Sequence, residues 1–141
     1  MKTILLLGGG KSATYLIDYL ADTCVTKKRE LIVADLYLEA LEEKLKNKPG
    51  TSARLLNVEN QEERIKLIQD ADVVISMLPA SLHPLIAKDC LNLKKHFFSA
   101  SYESKEMKEM REEIENSGLF FLNECGLDPG IDHMSAMKII D

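Results

Sequence analysis

Four consecutive apolar residues, Ile4-Leu5-Leu6-Leu7, run directly into Gly8-Gly9-Gly10. An apolar run this short and unbroken predicts a strand buried on both faces of a parallel sheet. Glycines at its end then constrain the next segment to a tight turn into a helix. Gly8 is expected to make the turn. Gly10, with no Cβ, lets the backbone approach a pyrophosphate resting on the amide groups of the next helix. Ala13 takes the third small position, where helix and strand pack too closely for a bulky side chain, and Gly9, Lys11 and Ser12 complete the loop. The resulting Gly8-x-Gly10-x-x-Ala13 pattern is weak on its own, because three glycines before a helix also make a plain loop.

Residues further along supply context. A helix is expected over 12–23, with Tyr15, Leu16, Tyr19 and Leu20 at helical spacing. A second apolar run, Leu31-Ile32-Val33-Ala34, ends in Asp35. An acid at the tip of the second strand is where one carboxylate grips both hydroxyls of a ribose diol, and the same charge repels a 2′-phosphate. Leu36 and Tyr37 come next, with no Arg or Lys, so the local charge favours NAD(H) over NADP(H). NADP(H) stays open through Lys11 or the Lys27-Lys28-Arg29 run, which otherwise reads as a solvated turn.

Beyond this point the pattern repeats. Helical periodicity of mixed charge over 38–46, 61–69, 83–93 and 103–116 alternates with apolar runs over 53–58, 72–77, 96–100 and 119–122. Such alternation predicts an α/β fold. It is a Rossmann-type, doubly wound parallel sheet of about six strands in the order 3-2-1-4-5-6, with ligands bound outside the carboxyl ends of the strands at the switch point. Gly8–Gly10, Asp35, Asn57-Val58, residues 76–79, residues 99–102 and residues 123–133 all fall at such ends.

The chain has 141 residues, 45% of them hydrophobic, enough for one core and too few for two substantial domains. A net charge of -5 and an isoelectric point near 5.3 argue against nucleic acid as a partner. Met1-Lys2-Thr3 lead at once into a strand-length apolar run, so neither a signal peptide nor a membrane span is expected, and a cytoplasmic location is. Cys24 and Cys90 read as packed helix residues of a reduced protein. Glu124, Cys125, Asp132 and His133 match no familiar zinc or calcium spacing, so no metal is expected.

The densest motif is Asn123-Glu124-Cys125-Gly126-Leu127-Asp128-Pro129-Gly130-Ile131-Asp132-His133. Together with Leu7 and Gly8–Ala13, Val74-Ile75-Ser76-Met77-Leu78-Pro79 followed by His83-Pro84, and Ser101-Tyr102, it resembles saccharopine dehydrogenase of the glutamate-forming type, from Lys2 to Asp141. Gly-Leu-Asp-Pro-Gly-Ile-Asp-His is a specific signature; the glycine motif is not. The resemblance implies an enzyme of lysine metabolism that interconverts saccharopine with glutamate and 2-aminoadipate 6-semialdehyde, moving hydride between a nicotinamide and the CH–NH carbon of an amino-acid substrate. By matching position, it places Gly8–Ala13, Asp35, Asn57, Val58, Met77 and Leu78 on the cofactor. Ala100, Ser101, Tyr102, Leu127, Asp128 and Pro129 fall where nicotinamide meets substrate. Asp128 is the candidate electrostatic partner of the reacting amine, with Tyr102 or His83 positioning it.

The family also carries a larger substrate domain after the final motif, so this chain reads as a cofactor domain, expected to bind dinucleotide without turning over, with a homodimer open through the larger enzyme. Two departures stand out. Leu36 occupies the place where NADP(H)-using members tend to carry a basic residue, and Asn57-Val58 replaces a common Asp-Val pair. Other readings of single residues stay open. Asp128-Pro129-Gly130 can simply initiate a turn, Asp132-His133 can start a last helix, and His83 can open a helix before Pro84. His96 reads as a surface residue. A related amine dehydrogenase, of the lysine 6-dehydrogenase or carboxynorspermidine synthase type, and a non-catalytic dinucleotide-sensing module are the alternatives.

Overall fold

The computed structural model of the chain describes residues 1–123. Leu127, Asp128 and Pro129, the acids and cysteine around them, and the helix expected from Ile131 lie outside the described residues.

Strand β1 (Lys2–Leu7) is followed by a 3-10 turn (Lys11–Ala13) that leads into helix α1 (Thr14–Lys27). Then come β2 (Arg29–Asp35), α2 (Leu38–Leu45), β3 (Thr51–Leu55) and α3 (Gln61–Gln69). After β4 (Val73–Ser76), a second 3-10 turn (Ala80–Leu82) feeds α4 (His83–Leu93), and β5 (His96–Ser99), α5 (Lys105–Glu109), α6 (Arg111–Ser117) and β6 (Phe121–Leu122) complete the order. All pairings are parallel, in the order β3-β2-β1-β4-β5-β6. The expected topology is the observed one.

Local chemistry explains the boundaries. Asn60 caps α3 by accepting the Glu63 N–H at 3.2 Å, with Glu62 and Glu63 at the positive end of the helix dipole. Ser104 caps α5 in the same way through the Met107 N–H. Pro84 occupies the first turn of α4, where its missing N–H costs nothing. Left-handed residues end three helices: Lys28 after α1, Lys94 after α4 and Gly118 after α6.

The strands alternate between two buried layers, which is why their apolar runs are continuous. Leu5, Leu7, Ile32, Ala34, Val74 and Phe97 face one layer with Ile68 of α3 and Ile86, Ala87 and Cys90 of α4. Ile4, Leu6, Leu31 and Val33 face the other with Ile17, Leu20 and Cys24 of α1 and Leu41 and Leu45 of α2.

Three expectations require correction. Helix α1 begins at Thr14 rather than Ser12 and extends to Lys27 rather than about Thr23, burying Ile17, Leu20, Ala21 and Cys24 and leaving Tyr15 and Tyr19 exposed. The single helix expected over 103–116 is two, because Met110 has to serve both as the C-cap of α5 and as the N-cap of α6. His96 is more than a surface residue, since its Nδ1 accepts the Phe120 N–H at 3.0 Å and so tethers the approach to β6.

Candidate functional site

Where β1 and β4 end side by side, their connections diverge to opposite faces of the sheet. The chain leaves β1 toward α1 on one side, and β4 lies on the other, so a crevice opens at the carboxyl ends of the strands. The glycine loop is its floor. Gly8 has φ of +95°, and a Cβ there would stand 3.1 Å from the Met77 carbonyl carbon and oxygen. Only glycine suits a position that is both left-handed and pressed on backbone. Its N–H donates to Ala34 O at 2.9 Å, while Met77 N–H donates to Leu7 O at 2.8 Å, so the loop is locked between β2 and the exit of β4. A Cβ on Gly9 would run into Leu41 of α2 at 2.7 Å. Gly10 differs: a Cβ there would meet nothing within 4 Å. Its glycine is not required by the protein's own packing, which is what a position reserved for the close approach of a ligand looks like. Ala13 is fully buried beneath the loop, as its small-residue position demands.

Asp35 ends β2 beside this loop. Its Oδ2 accepts the Gly9 N–H at 2.7 Å and its Oδ1 accepts the Tyr37 N–H at 3.2 Å. Each oxygen keeps a lone pair for a ribose hydroxyl. Lys44, on the last turn of α2, donates to Gly9 O at 2.8 Å and to Gly10 O at 2.9 Å.

The resulting cleft has a volume of about 570 Å³, within the usual range for small-molecule and cofactor sites. Its floor is Leu7, Gly8 and Gly10; one wall is Asp35, Leu36 and Tyr37; a second is Leu56, Asn57, Val58 and Glu59; and Met77, Leu78, Pro79 and Leu82 close the third side. Asn57 shapes its wall by accepting the Glu59 N–H at 3.1 Å. Behind it, buried Arg64 of α3 pairs with Asp89 of α4 and donates to Val58 O at 2.8 Å. Carboxylate, amides and apolar walls together match what an adenosine diphosphate moiety needs: diol acceptors, phosphate donors and a slot for a flat ring.

The structure therefore brings Gly8, Gly10, Asp35, Asn57, Val58, Met77 and Leu78 together around one cleft, with Gly9 clamped beside it. Lys11 and Ser12 are exposed on the 3-10 turn at its edge. Ala100, Ser101 and Tyr102 follow β5 and line no part of this cleft. His83 is another matter. It opens α4 with only 4% of its surface exposed, its ring is packed edge-on against Phe97 at 6.2 Å between centroids, and it too lines no part of the cleft. Burial pushes its pKa down, with a hydrogen bond to the Leu78 backbone opposing the shift. His83 opens α4, as one of the two readings of its sequence position expected, and lies packed beneath the Leu78 wall. Motif reading missed Tyr37 and Glu59 in the lining, and Lys44 and Arg64, which brace the loop and the Val58 wall from outside it.

Residues 4–122 match the family model described as the saccharopine dehydrogenase NADP binding domain. The chain belongs to the saccharopine dehydrogenase family. It is 38% identical over 140 residues to the NADP(+), L-glutamate-forming saccharopine dehydrogenase of Saccharomyces cerevisiae, covering 99% of this chain and 30% of that protein. To the alpha-aminoadipic semialdehyde synthase of Arabidopsis thaliana it is 36% identical over 155 residues, 98% of this chain and 15% of that protein. The apo structure of the L-Glu-forming saccharopine dehydrogenase from Saccharomyces cerevisiae superposes with a TM-score of 0.88 at 36% identity, covering 100% of this chain and 31% of that one. The chain thus spans less than a third of the length of these saccharopine dehydrogenase relatives. Among the described residues, no helix is long and apolar enough to cross a membrane.

Proposed function

We propose that this chain is the nicotinamide-dinucleotide-binding domain of an oxidoreductase that acts on saccharopine. The observation that carries the binding half of this reading is the cleft between Gly10 and Asp35: an open glycine backbone on one side, a ribose-ready carboxylate on the other. The relatives' names supply the reaction. In it, saccharopine, water and oxidised dinucleotide give glutamate, 2-aminoadipate 6-semialdehyde, reduced dinucleotide and a proton.

When bound, the nicotinamide accepts or returns the hydride. The chain's own residues bind and orient. The loop amides and Asp35 hold the pyrophosphate and adenine ribose, and Met77 to Pro79 direct the far end of the dinucleotide toward the ends of β4 and β5. Ser101 and Tyr102 stand after β5, and Asp128 is proposed to face the substrate's positively charged nitrogen and to stabilise it electrostatically. The family model and the yeast relative carry NADP in their names. In this chain Asp35, followed by neutral Leu36 and Tyr37, makes NAD(H) the tighter partner, with NADP(H) also accepted. A cytoplasmic location is the matching proposal, which fractionation decides against the mitochondrial site named for the Bos taurus relative.

Two experiments test this. Calorimetry on the 141-residue chain is expected to show saturable binding of reduced dinucleotide without saccharopine turnover. Replacing the matched segment of the yeast enzyme with this chain is expected to retain saccharopine oxidation, and Asp128→Asn in that hybrid is expected to lower kcat/KM by roughly 10- to 1000-fold. Turnover of lysine or carboxynorspermidine in preference to saccharopine would redirect the substrate assignment. An inactive hybrid that still binds dinucleotide would confine the function to cofactor binding.

A further inference from the structure

Asp35 argues for a bare ribose, yet the loop beside it carries a fixed cation. The Lys44 ammonium donates to Gly9 O at 2.8 Å and Gly10 O at 2.9 Å. The Gly9 N–H meanwhile donates to Asp35 Oδ2 at 2.7 Å. One glycine is therefore held at its amide by an anion and at its carbonyl by a cation, from residues 26 and 35 positions away in sequence. The two charges form no direct ion pair. Each stays available to a ligand.

A primary ammonium has three N–H donors, and two are spent on the loop carbonyls. The third, with the full positive charge, remains uncommitted beside the loop carbonyls. Half burial strengthens what it can do there, because a partly desolvated charge is screened less than an exposed one. Its hydrogen bonds also fix its position, so little side-chain entropy is lost when a phosphate arrives. Neither Leu36 nor Tyr37 offers a charge, and Lys11 is exposed on the turn.

We propose that Lys44 is a specificity-determining residue of the dinucleotide site, offsetting Asp35 so that a 2′-phosphate on the adenine ribose is admitted. This rests on the dinucleotide-binding reading. It explains how a chain with an NAD-type acid after β2 can sit in a family whose model is named for NADP. The charge that such proteins place after the second strand is supplied here from the last turn of α2.

The competing role for Lys44 is a strut that merely braces the loop, and the two differ in what they do to the two cofactors. Kd values for NADH and NADPH are measured by calorimetry or by quenching of protein and nicotinamide fluorescence, for wild type, Lys44→Met and Lys44→Arg, at low and high salt. The proposal expects Lys44→Met to raise the NADPH-to-NADH ratio of Kd by about tenfold or more, an effect that shrinks with salt. Lys44→Arg is expected to keep the ratio within about threefold of wild type, since it retains the charge. An equal loss for both cofactors in Lys44→Met, with the ratio unchanged, overturns the proposal and leaves Lys44 a strut. Wild-type binding of NADH with none of NADPH at millimolar concentration overturns it as well. Failure of the wild type to bind either cofactor is a separate outcome, which rejects the dinucleotide reading itself and this inference with it.

Discussion

Strands β1, β2 and β3 are six, seven and five residues long, whereas β4, β5 and β6 are four, four and two. The half built on the longer strands carries the glycine loop, Asp35 and the Asn57-Val58 wall. The other half lends the cleft one wall, Met77 to Pro79 with Leu82, and keeps Ser101 and Tyr102 outside it. A nucleotide site needs rigid strand ends, because its donors and acceptors must sit within a few tenths of an ångström of phosphate and ribose. The long, buried strands β1 and β2, each flanked on both sides, provide them. The shorter half has less to hold by itself; β4 joins it to the first half by pairing with β1, and the Arg64–Asp89 pair adds a side-chain link between α3, α4 and the Val58 carbonyl.

Arg64→Ala leaves Asp89 buried without its partner, and denaturant unfolding is expected to show a loss of about 3–5 kcal/mol. Unchanged unfolding would mean that the Arg64–Asp89 pair adds nothing to the β1–β4 pairing. Gly8→Ala comes next: a left-handed φ and contact with the Met77 backbone at 3.1 Å are expected to cost about 2–3 kcal/mol of stability, with nucleotide binding lost as the loop shifts. A stable, binding-competent Gly8→Ala would show that the β1–β4 junction is looser than described. Asp35→Ser with Leu36→Arg sharpens the role of the first half. It is expected to invert cofactor preference toward NADPH, a swing of roughly 1–3 kcal/mol in relative affinity by calorimetry.

The smallest effect belongs to the second half. Burial lowers the pKa of His83 below its ordinary 6.5, so the folded state favours the neutral ring. Above that pH both states are neutral and His83 adds no pH dependence. As the pH falls below it, the unfolded chain takes up a proton that the folded chain refuses, and stability declines until the folded-state pKa is reached, with a slope of no more than about 1.4 kcal/mol per pH unit. His83→Gln is expected to flatten that decline in melts between pH 7 and pH 5. An unaltered profile would assign the acid sensitivity to other groups.

Topology and most of the cleft were legible in the sequence because they arise from local signals. Apolar runs of four bounded by glycine or acid mark buried strands, and Pro84 and the Gly8-x-Gly10 spacing mark where helices begin. What stayed hidden depends on contacts across long sequence separations. Lys44 reads as one more charge in the Glu42-Glu43-Lys44 stretch of a solvated helix, and only the packing of Leu41 beneath Gly9 brings it over the loop. Arg64 lies among Glu62, Glu63 and Lys66 and gives no hint that it is 3% exposed.

On the proposed function a dinucleotide lies in the crevice over Gly10, and that residue makes the placement testable. Gly10 has φ of -70°, a value any residue adopts, and open space where its Cβ would be. Gly10→Val should therefore fold and melt like the wild type while its side chain occupies the path of the pyrophosphate. Titration of both proteins with NADH by calorimetry is the direct measurement. Saturable one-to-one binding by wild type, weakened by about 100-fold or more in a Gly10→Val variant of unchanged melting temperature, is the predicted result. Equal NADH affinity in the two proteins, or no binding by wild type at millimolar cofactor, would contradict it.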